Sequence, residues 1–477
     1  MPKFSEYFNV NLTQAEVDFV DVELDTDTPL YICPYAIQIR NDDWSATCGD
    51  LIRSFFAEVL DQLRSGNLAR VDHLLGHLRE PNETRLGQSV GRPRGAGVGE
   101  NRADLLANAL VESRAYQTGL LTDISEAELF IHGVGRDTIS DLTTNIIRGA
   151  LAAYTIDQCV LLEIPMQLTR AVGPVWLPDQ LNWQASALTL PHYNRKPILL
   201  VPKAAVRYRL SIDSQEFYNH FMVEFLQAEY LNAGGALVEV FKNGSRRVTK
   251  KSVKEVHPLI KDDLADFVRE HPEVLERYKN LKGAKGPLEN GQLDDQFDEV
   301  AFSQALIDRL REIPGGSDDA DNYHRLCIGI LTFAFHPEMS APIREAKIHE
   351  GRKRVDIVYT NAASSGFFLR RLQAHQTRAQ GIFVECKNYT KQLANPELDQ
   401  LQGRFNLRRG FFGFLLCRSM ENRERIIAGC KDTATDGRGY MIVLEDSDVI
   451  EILEMIRDGR RRFIDSYLER RLAEISM

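Results

Sequence analysis

The segment from Gly381 to Lys387, Gly-Ile-Phe-Val-Glu-Cys-Lys, constrains the fold more than any other stretch. It reads as a strand whose apolar run delivers a carboxylate and an ammonium two positions apart. Strand side chains alternate faces, so Glu385 and Lys387 share one face while Val384 and Cys386 point to the other. A strand this apolar needs covering layers on both sides, which predicts an α/β arrangement. Both charges then lose solvation and require compensation. Upstream, Arg352 to Tyr359 is a second strand-like segment, presenting Asp356 among β-branched residues.

The order of elements after residue 320 is legible. Tyr323 to Phe335 is an apolar helix, and Pro342 to His349 and Lys353 to Thr360 are strands turning near Glu350-Gly351. A polar insertion rich in Arg and Gln precedes the strand bearing Glu385. Asn395-Pro396 opens a helix, with Asn as N-cap and Pro at the first helical position. Leu398, Leu401 and Phe405 form its apolar stripe. Phe411 to Cys417 and Tyr440 to Leu444 are strands, each followed by a helix, Glu421 to Lys431 and Val449 to Ile456. The expected architecture is a small α/β sandwich with its strands buried by helices on both faces.

At 477 residues the chain has material for several domains. Lys282 to Asp295 holds four Gly or Pro and few apolar residues, and Pro314 to Asp321 is also polar. These stretches predict a linker over 281–320, between an N-terminal α+β region, 1–280, and a C-terminal domain, 321–477. In the N-terminal region, helices are expected over Leu51–Leu78, Ala103–Leu121 and Ile139–Ile156. A buried strand is expected at Pro197–Val201, and a hairpin over Val238–Val248 turning at Asn243-Gly244. The basic, Gly-rich run Gly91 to Arg102 has no strand before it and no Lys-Ser/Thr after it, so it is neither a P-loop nor a dinucleotide fingerprint. His73 and His77 share a helix face, but no third ligand accompanies them.

The net charge of −10 does not mark a nucleic-acid binder, although local charge matters more than the total. Seven cysteines with no C-x-x-C pair point to a reducing compartment. With no apolar leader and no membrane-length run, a cytoplasmic location off the membrane is expected.

Asp356 on one strand and Glu385-x-Lys387 on the next resemble the PD-(D/E)xK superfamily of nucleases. Val384 to Thr390, followed by Asn395 to Arg404, is similar to the branch that includes restriction-type and anti-phage defence effector nucleases. The resemblance covers about 320–457 and implies a restriction-endonuclease-like sandwich with a mixed central sheet. It further implies that Asp356 and Glu385 bind Mg²⁺, with Mn²⁺ able to substitute, and that Lys387 orients or deprotonates the attacking water. Gln400 and Arg404 would flank the substrate phosphate. Glu345 is either a third metal-site acid or the ion-pair partner of Arg352 or Lys353. The signature Pro before the Asp is replaced by Val355. Around the site, Arg352, Lys353, Arg404 and Arg408 suit phosphate contacts that read no sequence.

The chemistry supports the same roles. Phosphodiester hydrolysis needs a nucleophile, shielding of developing charge and help for the leaving oxygen, and divalent metal on hard carboxylate oxygens serves all three. The expectation is therefore a metal-dependent endonuclease acting on nucleic acid, DNA first. The resemblance adds a homo-oligomeric state and a partner protein from a defence system. Two rivals stand beside it: an RNA nuclease using the same site, and a non-catalytic nucleic-acid-binding or scaffold protein. The complete set Asp356, Glu385 and Lys387 argues against the second.

Overall fold

The computed structural model describes residues 1–87, 99–170, 172–344, 357–388 and 395–476. The basic Gly-rich run up to Val98, the Glu350-Gly351 turn, and Glu345, Arg352, Lys353 and Asp356 lie outside the described residues.

The N-terminal region is mainly helical, with several two-stranded ribbons. Its principal helices are α1 (Asp43–Arg64), α2 (Leu68–Leu75), α3 (Gly99–Glu112), α4 (Arg136–Ile146) and α5 (Arg148–Leu161). The helix expected over Leu51–Leu78 is thus two, separated at Gly66, whose φ of +73° suits glycine and ends α1. Residues 198–201 are buried as expected but are not a strand; only Lys196–Pro197 pairs, with His192–Tyr193. Scattered partners satisfy their backbone instead: Leu199 N donates to Glu83 O, Leu200 N to Thr155 Oγ1 of α5, and Val201 O accepts from Val20 N. The expected hairpin does form, pairing Glu239–Val240 with Arg246–Arg247.

After α6 (Pro272–Gly283) comes α7 (Glu299–Glu312). This helix lies inside the expected linker, and it buries Ser303, Leu306, Ile307 and Leu310. The stretch from 299 to 312 is therefore part of the C-terminal core, because its apolar residues recur at helical spacing.

That core continues with α8 (Ala320–Phe335) and strands β1 (Met339–Arg344) and β2 (Ile357–Asn361). Then follow α9 (Gly366–Gln373), β3 (Gly381–Lys387), α10 (Asn395–Gln402), β4 (Phe412–Cys417), α11 (Arg423–Thr435), β5 (Tyr440–Glu445), α12 (Asp446–Arg457) and α13 (Ile464–Ser476). The five strands form one mixed sheet in sequence order. β1, β2 and β3 are successively antiparallel, and β3, β4 and β5 are parallel. β4 is buried along its whole length, as the continuous apolar run Phe-Gly-Phe-Leu-Leu-Cys requires of an interior parallel strand. Helices α8 and α12, with α7 against α12, occupy one side, and α10 and α11 the other.

Two glycines fix close approaches. At Gly413 in β4 an added Cβ would sit 2.7 Å from Phe383 O and 3.4 Å from a Leu401 methyl, so this position lets α10 lie down on the sheet. At Gly329 in α8 a Cβ would come within 2.9 Å of the buried Glu16 carboxylate. Glu16 in turn pairs with Arg309 of α7 at 2.7 Å. The two regions are joined along a seam of such contacts. Helix α5 lies against β1, and Gln158 Nε2 donates to Pro342 O at 2.9 Å. Arg40 Nη2 donates to Ser340 Oγ at 3.1 Å, and Arg344 pairs with Glu163 at 3.1 Å.

Candidate active site

Strand β3 sends its alternating side chains to two different environments. Cys386 turns toward α8, and its thiol faces that of Cys327. Glu385 sits opposite Leu415 of β4, on the side covered by α10. It is fully buried, and burial raises its carboxyl above the ordinary range, with the charges of Lys387 and Arg404 opposing and Glu397 reinforcing the shift. Lys387, two residues on, forms an ion pair with Glu385.

Helix α10 supplies the other half. Leu398 and Leu401 bury its apolar stripe, and Asn395-Pro396 starts it where expected. Gln400 on α10 and Arg404 in the turn that closes it then face β3. Lys387 Nζ donates to Gln400 Oε1 at 3.1 Å, and Arg404 Nη2 lies 3.9 Å from Glu385 Oε2. Four polar side chains from two elements converge on one spot. Beyond the ion pairs, neither Glu385 oxygen has a hydrogen-bond donor among the described residues.

Residues 9–213 match a family described as a domain of unknown function (DUF8370). No curated protein and no solved structure matches the chain. The match covers less than half of the chain and ends before the sheet, so the convergence around Glu385 stands on its own geometry.

A buried carboxylate with lone pairs left over is the donor chemistry a hard divalent cation uses, so Glu385 fits such a role. No group of three or more His, Cys, Asp or Glu gathers among the described residues. Asp356 and Glu345, the other expected ligands, lie outside them, as do Arg352 and Lys353. Asp356 directly precedes Ile357 in the sequence, and Ile357 pairs with Val384, the neighbour of Glu385.

Other expected phosphate contacts are dispersed. Arg408 is exposed in the turn after α10, its backbone N–H donating to Asn406 Oδ1. Arg370 and Arg371, two further basic residues of the polar insertion before β3, pair with Glu469 on α13. His73 Nε2 lies 3.1 Å from Asn182 Oδ1, and His73 stacks edge-on with His77.

Asn388 was not singled out by sequence reasoning, yet it anchors the site. Its Nδ2 donates to Pro314 O at 3.0 Å and Gly316 O at 2.9 Å, and Gly316 N returns a bond to Asn388 O. These bonds tie the α7–α8 loop to the end of β3. The signal available was its place directly after Glu-x-Lys. Beneath β3, Asp446 accepts from Tyr323 Oη at 3.0 Å and pairs with Arg418 at 2.9 Å. Burial pushes the Asp446 carboxyl up to about 6, against the opposing charge of Arg418.

Proposed function

We propose that the chain is a Mg²⁺-dependent phosphodiester hydrolase with a restriction-endonuclease-like C-terminal domain, a DNA endonuclease acting in anti-phage defence as a homo-oligomer. The observation that carries this reading is the convergence of Glu385, Lys387, Gln400 and Arg404. A buried acid and an ammonium share one strand face, with an amide and a guanidinium closing over them. The element order supports it: a helix, two antiparallel strands, the short helix α9, a third antiparallel strand that carries the acid, a helix and a parallel strand. The defence role rests on resemblance alone.

In this reading Glu385 and Asp356 would hold the metal, with Glu345 as a third ligand. When bound, the cation would supply Lewis-acid shielding of the phosphate charge. Lys387, held between Glu385 and Gln400, would orient or deprotonate the attacking water. The Arg404 guanidinium, planar and forked, contacts a non-bridging phosphate oxygen and stabilises the charge that develops there.

Incubating the full chain with labelled duplex DNA, single-stranded DNA and RNA, in Mg²⁺, Mn²⁺ or EDTA, tests the proposal. Cleavage that needs metal and disappears in Asp356→Ala and Glu385→Ala supports it. Metal-independent cleavage, or wild-type rates in either variant, refutes the site. Cutting of RNA alone would retain the site and replace the substrate.

A further inference from the structure

A cleft of ≈ 1040 Å³ opens on the seam between the two regions. Its floor is built from both: Arg40 and Arg207 from the N-terminal region, His336 and Glu338 from the turn between α8 and β1. Lys285 and Leu288, from the connection after α6, complete one wall.

The charges on this floor do not cancel. Arg40 is committed to Asp42 at 2.7 Å. The fully buried Lys203 behind it lies near Asp18, which also accepts from Tyr154 Oη at 2.7 Å. Arg207 has no carboxylate. Its Nη1 donates to Ala204 O at 3.0 Å and Val206 O at 2.7 Å, and no ion pair reaches it among the described residues. A partly buried guanidinium without a counter-charge is costly unless an anion arrives from outside. Burial and then the neighbouring Arg40 hold Arg207 below its ordinary range, and burial with the charges of Lys203 and Arg40 does the same to His336. Both shifts come first from burial, and the charge of Arg40 adds to each.

The acids lining the cleft do not supply the missing charge. Glu299 pairs with Arg461, and Asp465 accepts from the Phe367 amide and pairs with Arg370. Glu289 caps the short helix Asn290–Leu293. Burial raises the Glu338 carboxyl above its ordinary range, against the opposing charges of Arg461 and Arg40. On the rim, Lys285 and Arg462 form no ion pair among the described residues, and Ile39, Leu288 and Phe297 give an apolar strip only partly covered.

We propose that this cleft binds a nucleotide-sized phosphorylated anion, whose phosphates meet Arg207 with Lys285 and Arg462, and whose apolar portion lies on Ile39, Leu288 and Phe297. Such a ligand touches both regions at once, so occupancy braces the seam. The site is separate from Glu385, and its test reads binding, so it stands or falls independently of any nuclease activity.

Calorimetry and thermal denaturation of the full chain in EDTA, with ATP and inorganic triphosphate as probes and adenosine as the uncharged control, decide the matter. ATP should bind one-to-one and raise the melting temperature. Arg207→Gln, which keeps an amide donor for the Ala204 and Val206 carbonyls, should weaken it by about tenfold or more. Ser364→Glu, an exposed position lining the cleft, should do the same without disturbing any buried contact. The proposal is overturned if neither phosphate probe binds below 1 mM (on the order of −4 kcal/mol). Binding that both variants leave unchanged, or adenosine binding as tightly as ATP, overturns it equally.

Discussion

Lys387 Nζ and Gln400 Oε1 are joined by a 3.1 Å hydrogen bond that connects the central strand to the helix lying over it. The bond holds the ammonium between an amide and a buried carboxylate, and it makes the position of Lys387 depend on α10.

Gln400→Ala should therefore lower the turnover rate by about tenfold while leaving Mn²⁺ affinity unchanged, since the amide orients an ammonium and is no metal ligand. Lys387→Ala should abolish turnover and likewise spare the metal. Calorimetry with Mn²⁺ beside single-turnover kinetics checks both. A loss of metal affinity in Gln400→Ala would place that residue in a different role.

Gly413→Ala acts through distance. The new methyl would meet Phe383 O at 2.7 Å and force β3, or α10 with its Leu401, to move. We expect a loss of about 1–3 kcal/mol in chemical denaturation. Activity should fall further than stability accounts for, because Gln400 rides on the displaced helix and Arg404 follows directly after it. Unchanged denaturation would mean that the strand spacing gives freely.

Asp446 predicts a pH dependence. Its carboxyl titrates near 3.8 when unfolded and at about 6 in the folded chain. The folded state thus binds more protons between those values, so the stability this group contributes is full below pH 4 and is lost as pH rises toward 6. Asp446→Asn keeps an acceptor for Tyr323 and removes the titration. Denaturant midpoints measured from pH 4 to 7 should fall more steeply for the wild type than for the variant. Parallel curves would show that Asp446 titrates normally.

The exposed stretch around Ala284, Lys285 and Gly286 should be the first site nicked by trypsin, yet the two pieces should remain together. The Gln158–Pro342 bond, the Glu16–Arg309 pair and the packing of α5 on β1 all cross the seam. Gel filtration of the nicked protein should give one peak of unchanged size. Separation of the fragments would mean that these contacts add little to association.

Much of the sheet can be read from residues alone, because β3, β4 and β5 are apolar runs long enough to demand burial on both faces. The start of α10 is equally plain, since Asn395-Pro396 carries both cap signals. The i, i+4 spacing of Gln400 and Arg404 puts them one turn apart on the face of any helix that starts there. What stays hidden depends on contacts distant in sequence. Helix α7 follows a Gly- and Pro-rich stretch, and its apolar residues gain meaning only against α12. Residues 198–201 have the composition of a strand, but their partners are scattered groups distant in the chain, one of them the Thr155 hydroxyl of α5, so burial comes without a ladder. Asn388 gives no local sign that it will bind the carbonyls of Pro314 and Gly316.

The lodging of α5 against β1 has one more consequence. An outermost strand normally offers a row of open N–H and C=O groups on which another chain can build. Here Gln158 already occupies the Pro342 carbonyl and a helix stands along that border. For two copies to join their sheets through β1, that helix would first have to leave the border. In the proposed endonuclease, two catalytic centres would therefore reach opposite strands of a duplex through a contact elsewhere on each subunit.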